Sequence, residues 1–222
     1  MERHRVGIVI PALNEAATIG KVVENVSPFG LAIVVDDGSQ DETRELAEAA
    51  GAAVVRHPDN RGYDEALNSG FACADKLGCE YVITMDADGQ HDSNMLATFI
   101  TALDDGGDVV VGIREYRQRV AEHIFAWVAS IKWGIRDPMC GMKAYRITVY
   151  RELGHFDSSD SIGTELTFYA ANSGRRIVQL PVKTRERTSQ PRFGRRYSAN
   201  KRILQAVWRS LRAQRLPAKA ST

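Results

Sequence analysis

What the sequence lacks narrows its class first. No stretch approaches the roughly 18 to 20 consecutive apolar residues of a helical membrane span. The amino-terminal MERHRVGIVI has neither the apolar core nor the small-residue cleavage site of a secretory signal. A cytoplasmic protein is therefore expected. Cysteine is scarce: Cys73, Cys79 and Cys140 are odd in number and form no C-x-x-C pair. That argues against a disulfide framework or a cysteine zinc site and predicts reduced, mostly buried thiols. No internal repeat or low-complexity segment is present. With 44% hydrophobic and 26% charged residues over 222 positions, one globular domain is expected, long enough to bury a core without disulfides or structural metal.

Net charge is low too, at +1, but the balance is uneven. From Lys183 to Lys219 twelve Lys or Arg face a single acid, Glu186, so that segment carries +11 and leaves −10 for the rest of the chain. An acidic body with a basic C-terminal segment follows. Such a segment seeks anions, whether nucleic acid, anionic lipid head groups or the phosphates of a substrate.

The apolar pattern alternates between strand and helix. Arg5 to Ile10 and Leu31 to Val35 are β-branched runs that end at Pro11 and at Asp36 and Asp37, and they read as buried strands. Between them Ile19, Val22, Val23 and Val26 recur at helical spacing, with Asn14 as a helix cap. Helices at 41–50, 62–77 and 92–103 then alternate with strands at 53–56, 80–85 and 108–112. This predicts a doubly wound α/β sheet with four or more parallel strands. Further on come a basic, aromatic helix near 117–133, a polar turn from Arg136 to Gly141, and a helix at 163–173. Short strands at 176–180 and 182–186, a loop at 188–194 and a helix from about Ala199 to Gln214 complete the chain. In that last helix Ile203, Leu204, Val207, Trp208 and Leu211 form an apolar stripe among Lys201, Arg202, Arg209, Arg212 and Arg215. A basic amphipathic helix of this kind either docks its stripe on the domain or lies on an anionic membrane surface.

Ligands of such sheets bind beyond the carboxyl ends of the strands. There the sequence places PALNE (Pro11 to Glu15), DDGSQDET (Asp36 to Thr43) and MDADGQH (Met85 to His91). Gathering several carboxylates is costly unless a cation or hydrogen-bond donors compensate them. Asp86 and Asp88, one residue apart at a strand end, can point to the same side, and Gln90 can add an oxygen after the turn at Gly89. Such a set suits Mg²⁺ or Mn²⁺ that keeps water and takes its other ligands from a diphosphate. A plain turn and helix cap fits the same residues. Asp37 and Glu15 can accept hydrogen bonds from a nucleobase or ribose, while Ser39 or Asp41 can cap the next helix. Asn60-Arg61-Gly62 reads as a loop into a helix facing the same crevice, and His91 reads as structural.

Taken in order, PALNEAATIG, VVDDGSQDET, NRGYDEALNSGF, DADGQHDSNML, VVVGIR, DPMCGMKAYR and RTSQPRFG resemble glycosyltransferase family 2. The likeness is to the branch of dolichol-phosphate mannosyltransferase and related polyprenyl-phosphate glycosyltransferases, and it covers about residues 5–195. It implies a single GT-A (Rossmann-like) domain at 1–196, with a nucleotide-binding half at 1–113, an acceptor-binding half at 114–196, and a basic amphipathic tail at 197–222. It implies inverting, metal-dependent transfer of a sugar from a nucleoside-diphosphate sugar, GDP-mannose or UDP-hexose, to polyprenyl or dolichyl phosphate. Pro11, Leu13 and Glu15 fall where the family contacts the base, and Val35 and Asp37 where it contacts base or ribose. Leu13 stands where the mannosyltransferases often have Tyr. Asp86, Asp88 and Gln90 match the metal-binding residues, with Mg²⁺ or Mn²⁺ as cofactor, and Ala87 matches a backbone contact to the nucleotide. Arg114 matches an arginine near the transferred sugar, and Arg187 and Arg192 the basic residues of a loop closing over the diphosphate.

The chemistry of the acceptor then decides which further groups are required. A lipid phosphate is already ionised at pH 7 and needs no general base. A saccharide hydroxyl, as in surface polysaccharide assembly, needs a carboxylate near the anomeric carbon. Glu165, in SIGTELTF, is the candidate for that role beside Asp88 and Arg114, and it fits a helix start equally. Arg117 and Arg119, with Lys132 behind them, are candidates for holding an acceptor phosphate. The expected partners are a nucleotide sugar, polyprenyl phosphate and an anionic membrane surface at the cytoplasmic face, not nucleic acid; a homo-oligomer is left open. A receiver-like signalling domain is disfavoured because the acids follow strands two and four rather than one and three. Nucleotidyl transfer is disfavoured because PALNEAATIG lacks a glycine-rich phosphate loop.

Overall fold

The computed structural model describes residues 5–116, 119–183, 200 and 203–209. Strands β1 (Val6–Ala12), β2 (Leu31–Asp36), β3 (Ala53–Arg56), β4 (Tyr81–Thr84), β5 (Val109–Arg114), β6 (Lys143–Arg146) and β7 (Ile177–Val182) form one sheet in the order β3-β2-β1-β4-β6-β5-β7. Parallel pairing joins β3, β2, β1 and β4, and joins β5 to β7. Strand β6 is inserted antiparallel between β4 and β5. The helices are α1 (Ile19–Val26), α2 (Thr43–Ala49), α3 (Tyr63–Lys76), α4 (Met95–Asp104), α5 (Val120–Trp133), α6 (Ile147–Leu153) and α7 (Glu165–Asn172).

Side chains alternate across the sheet, as the pleat requires, and divide the core into two layers. Ile8, Ile10 and Val34 pack toward α1, α4 and Ala47 of α2. Val9, Ile33 and Val35 pack toward the opposite layer, built on α3, α5, α6 and α7. Gly70 lets α3 sit hard against the sheet, because a Cβ there would collide with Val9 and press on Val35. Cys73, Cys79 and Cys140 are free thiols, the last two buried. Among the described residues no helix is long and apolar enough to cross a membrane.

Several elements depart from the sequence pattern. Asn14 does not cap α1. It adopts a left-handed backbone (φ 53), its amide donates to Ser39 Oγ at 2.9 Å, and its Oδ1 accepts from the Gln40 amide at 2.9 Å. It ties two loops together, and the helix begins only at Ile19. The short strand expected at 176–180 runs on to Val182 as β7, while the one expected at 182–186 lies outside the described residues from position 184. Strand β6 carries no apolar period: KAYR is four residues long and includes two cations. In the tail, Ile203, Ala206 and Val207 dock into the same cluster as Ala121 and Phe125 of α5, while Leu204 and Trp208 stay exposed. The stripe therefore splits between the domain and the outside; Leu211 lies outside the described residues.

Candidate active site

The strand order places β2 on one side of β1 and β4 on the other, so the loops leaving β1, β2 and β4 meet at one edge of the sheet. A cavity of about 580 Å³ opens there, where doubly wound sheets bind ligands. Of the residues expected on the donor side, Pro11, Leu13, Asp37, Asp86, Asp88, Gln90 and Arg114 line it. Val35 and Ala87 do not, because both are fully buried in the core. Glu15 is also buried and away from the lining, and its Oε2 accepts from Thr18 Oγ1 at 3.1 Å.

The loops after β1 and β2 are zipped together. The Glu15 amide donates to Thr43 Oγ1 at 2.8 Å and the Ala16 amide to Asp41 Oδ2 at 3.1 Å. Asp37 is a strut as much as a ligand. Its Oδ1 accepts from the Arg61 amide at 2.9 Å and lies 2.7 Å from His57 Nδ1, while Oδ2 accepts from the Gly62 amide at 2.8 Å. Three of roughly four lone-pair sites thus hold the loop that enters α3. His57 is fixed in turn by Ser69 Oγ, 2.8 Å from Nε2.

After β4, Asp88 Oδ1 accepts from the Gln90 amide at 3.1 Å across the turn at Gly89 (φ 72). His91 Nε2 lies 3.3 Å from Asp86 Oδ2. Across from Asp86 stands Gly141, where a Cβ would collide with the Asp86 carboxylate. No group of three His, Cys, Asp or Glu forms a metal cage among the described residues. Two carboxylates and an amide instead fit Mg²⁺ or Mn²⁺ that draws further oxygens from water and a diphosphate.

The opposite wall is built from buried charge. Arg114 forms a two-pronged pair with Asp137, Nε to Oδ2 and Nη2 to Oδ1, both at 2.9 Å, and its amide donates to Oδ2 at 3.0 Å. Burial alone would weaken the Arg114 charge, but Asp137 overrides it and holds the guanidinium above its ordinary value. Glu122 of α5 accepts from Arg114 Nη2 at 3.3 Å and from Arg119 Nη1 at 3.4 Å. Arg119 therefore stands one carboxylate away from Arg114, outside the cavity lining. Arg117, Arg187 and Arg192 lie outside the described residues.

Glu165 serves a different purpose from the one expected of a base. It opens α7 and accepts from the Ser158 amide at 2.7 Å and from Ser159 Oγ at 2.9 Å, with His155 Nε2 at 2.9 Å. Burial pushes its carboxyl up, but these hydrogen bonds outweigh it and hold it below the usual range. It does not line the cavity, and a general base must be within reach of the proton it takes. Glu165 is a loop anchor here.

Sequence patterning does not reveal the third wall, formed by Lys143, Asp64, Asp157 and Asp160. Lys143 is buried, donates from Nζ to Gly163 O at 2.6 Å, and is pulled down to about 8 by that burial. Asp64 Oδ2 accepts from the Ile162 amide at 3.2 Å, and burial followed by the Asp157 charge pushes Asp64 up to about 7. Its Oδ1 is buried with no partner among the described residues. Asp160 (φ 50) and Ile162 (φ 58) hold left-handed backbones, each costing roughly 1 to 2 kcal/mol. The loop stays in place because Asp64 and Lys143 clamp it from α3 and β6. The available sequence signal was DPMCGMKAYR, which contains both Asp137 and Lys143 but gives neither a partner.

Comparison with known proteins agrees with this architecture. Residues 7–154 match the model of glycosyl transferase family 2. The chain is 29% identical to a dolichyl-phosphate hexose transferase of Haloferax volcanii over 202 residues, covering 84% of this chain and 85% of that one. It is likewise 29% identical to a polyprenol monophosphomannose synthase of Mycolicibacterium smegmatis over 207 residues, covering 81% and 77%. In fold it is similar to the glucosyl-3-phosphoglycerate synthase of Mycobacterium tuberculosis, crystallised with Mn²⁺ and UDP-glucose. That structure gives a TM-score of 0.75 at 23% identity, covering 96% of this chain and 80% of that one. With a family model spanning most of its length and a GT-A sheet beneath it, the chain belongs to glycosyltransferase family 2 and is a glycosyltransferase.

Proposed function

We propose that the enzyme moves a hexose, with inversion, from a nucleoside-diphosphate sugar (GDP-mannose or UDP-hexose) to a polyprenyl or dolichyl phosphate at the cytoplasmic face of a membrane. The observation that carries this reading is the joint placement of Asp86, Asp88 and Gln90 with the locked cation Arg114 in one cleft. The names of the Haloferax and Mycolicibacterium relatives support the acceptor class. The Mn²⁺ and UDP-glucose of the mycobacterial structure support the cofactor and donor class.

Pro11 and Leu13 offer the base an apolar wall, and Asp37 offers its remaining acceptor capacity to base or ribose. Asp86, Asp88 and Gln90 would hold Mg²⁺ or Mn²⁺. Bound there, the cation neutralises charge developing on the departing diphosphate. Arg114 adds a fixed positive charge that needs no reorganisation during the reaction, because Asp137 has already oriented it. Arg187 and Arg192 complete the diphosphate site, and Arg117 and Arg119 hold the acceptor phosphate. The phosphate oxygen of the acceptor forms the new bond to the anomeric carbon as the bond to the nucleoside diphosphate breaks on the opposite face. No proton has to be removed. The basic segment after Lys183 adds attraction to anionic lipid.

Transfer to a saccharide hydroxyl remains the second reading, and one observation favours it. Asp64 lines the cleft and is pushed up to about 7, the range of a working general base. Incubating the protein with Mn²⁺, polyprenyl phosphate and a panel of labelled nucleotide sugars separates the two. A lipid-extractable, acid-labile product that disappears with EDTA is expected. Label appearing only in an added saccharide selects the second reading, and label in neither overturns both.

A further inference from the structure

Helix α5 has two apolar faces. The inner one, with Ala121, Phe125 and Ala129, is buried in the core. On the outer one, Val120 is 73% exposed, Ile124 43%, Trp127 66% and Ile131 69%. These four recur every three or four residues and form a stripe about 16 Å long at 1.5 Å per residue. Single exposed apolar residues are ordinary on a protein surface, but a contiguous stripe marks a contact surface.

Charge identifies the contact. The single acid of α5, Glu122, is buried and bound by Arg114 and Arg119. The exposed ionisable residues of the helix are His123 and Lys132, and Arg136 is exposed just beyond it. The outer face is thus apolar, carries a Trp, is flanked by basic groups and shows no negative charge. That is the pattern of a helix lying in the interface of an anionic bilayer. The stripe also has a fixed relation to the cleft. Glu122 grips the cleft-lining Arg114, so Val120 and Ile124 begin within a turn of the mouth.

We propose that the outer face of α5, through Val120, Ile124, Trp127 and Ile131, is the surface by which this enzyme docks on an anionic lipid bilayer, with the cleft mouth turned toward the head groups. The choice of a bilayer over another partner rests in part on the lipid-phosphate reading of the acceptor. The binding test needs neither donor nor metal.

Flotation with vesicles of phosphatidylcholine and phosphatidylglycerol measures the contact. The wild-type chain is expected to float with them. Trp127→Glu combined with Ile131→Glu is expected to weaken partitioning by at least about tenfold, since each buried side chain of this size contributes that much or more. Leu46→Glu, on the opposite helical layer, should leave it unchanged. Trp127→Ser with Ile131→Ser is the milder pair, and both pairs are checked by circular dichroism. Turnover of a water-soluble short-chain polyprenyl phosphate should survive in these variants. Wild type that ignores the vesicles, variants that bind them equally well, or a wild-type dimer that the variants convert to monomer would each overturn the proposal. If no sugar is transferred to any lipid phosphate yet the stripe still governs flotation, the acceptor reading fails and the docking surface stands.

Discussion

The two sides of the cleft manage charge in opposite ways. On the donor side, built from the ends of β1, β2 and β4, backbone amides satisfy the acids: Asp37 takes the Arg61 and Gly62 amides, and Asp88 takes the Gln90 amide. On the facing wall the charges are buried against one another or against loop backbone, as in Arg114 with Asp137 and Glu122, and in Lys143 with Gly163 O. A carboxylate fed by amides stays available to a ligand. A buried pair spends most of its attraction on its own desolvation and chiefly fixes geometry. The edge formed by β1, β2 and β4 should therefore fail mainly in chemistry when altered, and the facing wall in stability as well.

Asp88→Ala gives the largest contrast. Turnover should fall by about 10³-fold or more, as expected when a main electrostatic contact is removed, with the thermal midpoint nearly unchanged. A large loss of stability in that variant would make Asp88 a structural support rather than a ligand. Asp137→Ala should lower stability as well as turnover, because Asp137 both orients Arg114 and is its buried partner. The substitution leaves the Arg114 guanidinium buried without its partner, which costs about 3 to 5 kcal/mol, readable by urea denaturation.

Gly141→Ala probes the boundary between the two walls, because residue 141 precedes β6 on the facing wall and its missing Cβ makes room for Asp86. Mn²⁺ affinity should drop by about 10- to 100-fold, the usual scale for a disturbed supporting contact, with stability held. Unchanged Mn²⁺ affinity would separate Gly141 from the metal site.

Asp64→Asn has a smaller effect that depends on pH. A carboxyl raised to about 7 binds more protons folded than unfolded between about pH 4 and 7, so wild-type stability falls as pH rises through that window. The Asn variant should lack this decline and be the more stable of the two at pH 8. Parallel pH profiles for both would remove the burial argument. Glu165→Gln should change least: a few-fold in turnover with a modest drop in thermal midpoint, because its carboxylate anchors Ser158 and Ser159. A collapse in turnover alone would restore it as a base.

The same contrast explains what the sequence made legible. The strands and loops of the donor side are local: RVGIVI, LAIVV and the acids that follow them are contiguous, so period and position were enough to place Asp37, Asp86, Asp88 and Gln90 at one edge. Even there, adjacency misled. Asn14 spends its side chain on Gln40 rather than on a helix end. The facing wall depends on partners far apart in the chain. Arg114 needs Asp137, Lys143 needs the carbonyl of Gly163, and Asp64 meets Ile162 across ninety-eight positions. Nothing in composition or period encodes such pairings. Strand β6, four residues with a cation at each end, escapes the same reasoning because its place in the sheet is set by its neighbours.

In the proposed reaction Asp86 and Asp88 hold the cation that carries the diphosphate of the donor. Calorimetric titration of UDP and of GDP, with and without Mn²⁺, into wild type and into the Asp86→Ala, Asp88→Ala double variant tests it directly. Mn²⁺ is expected to tighten binding of one nucleotide to wild type by at least about tenfold, and the double variant to lose this gain. Equal, Mn²⁺-independent binding to both proteins would contradict this assignment.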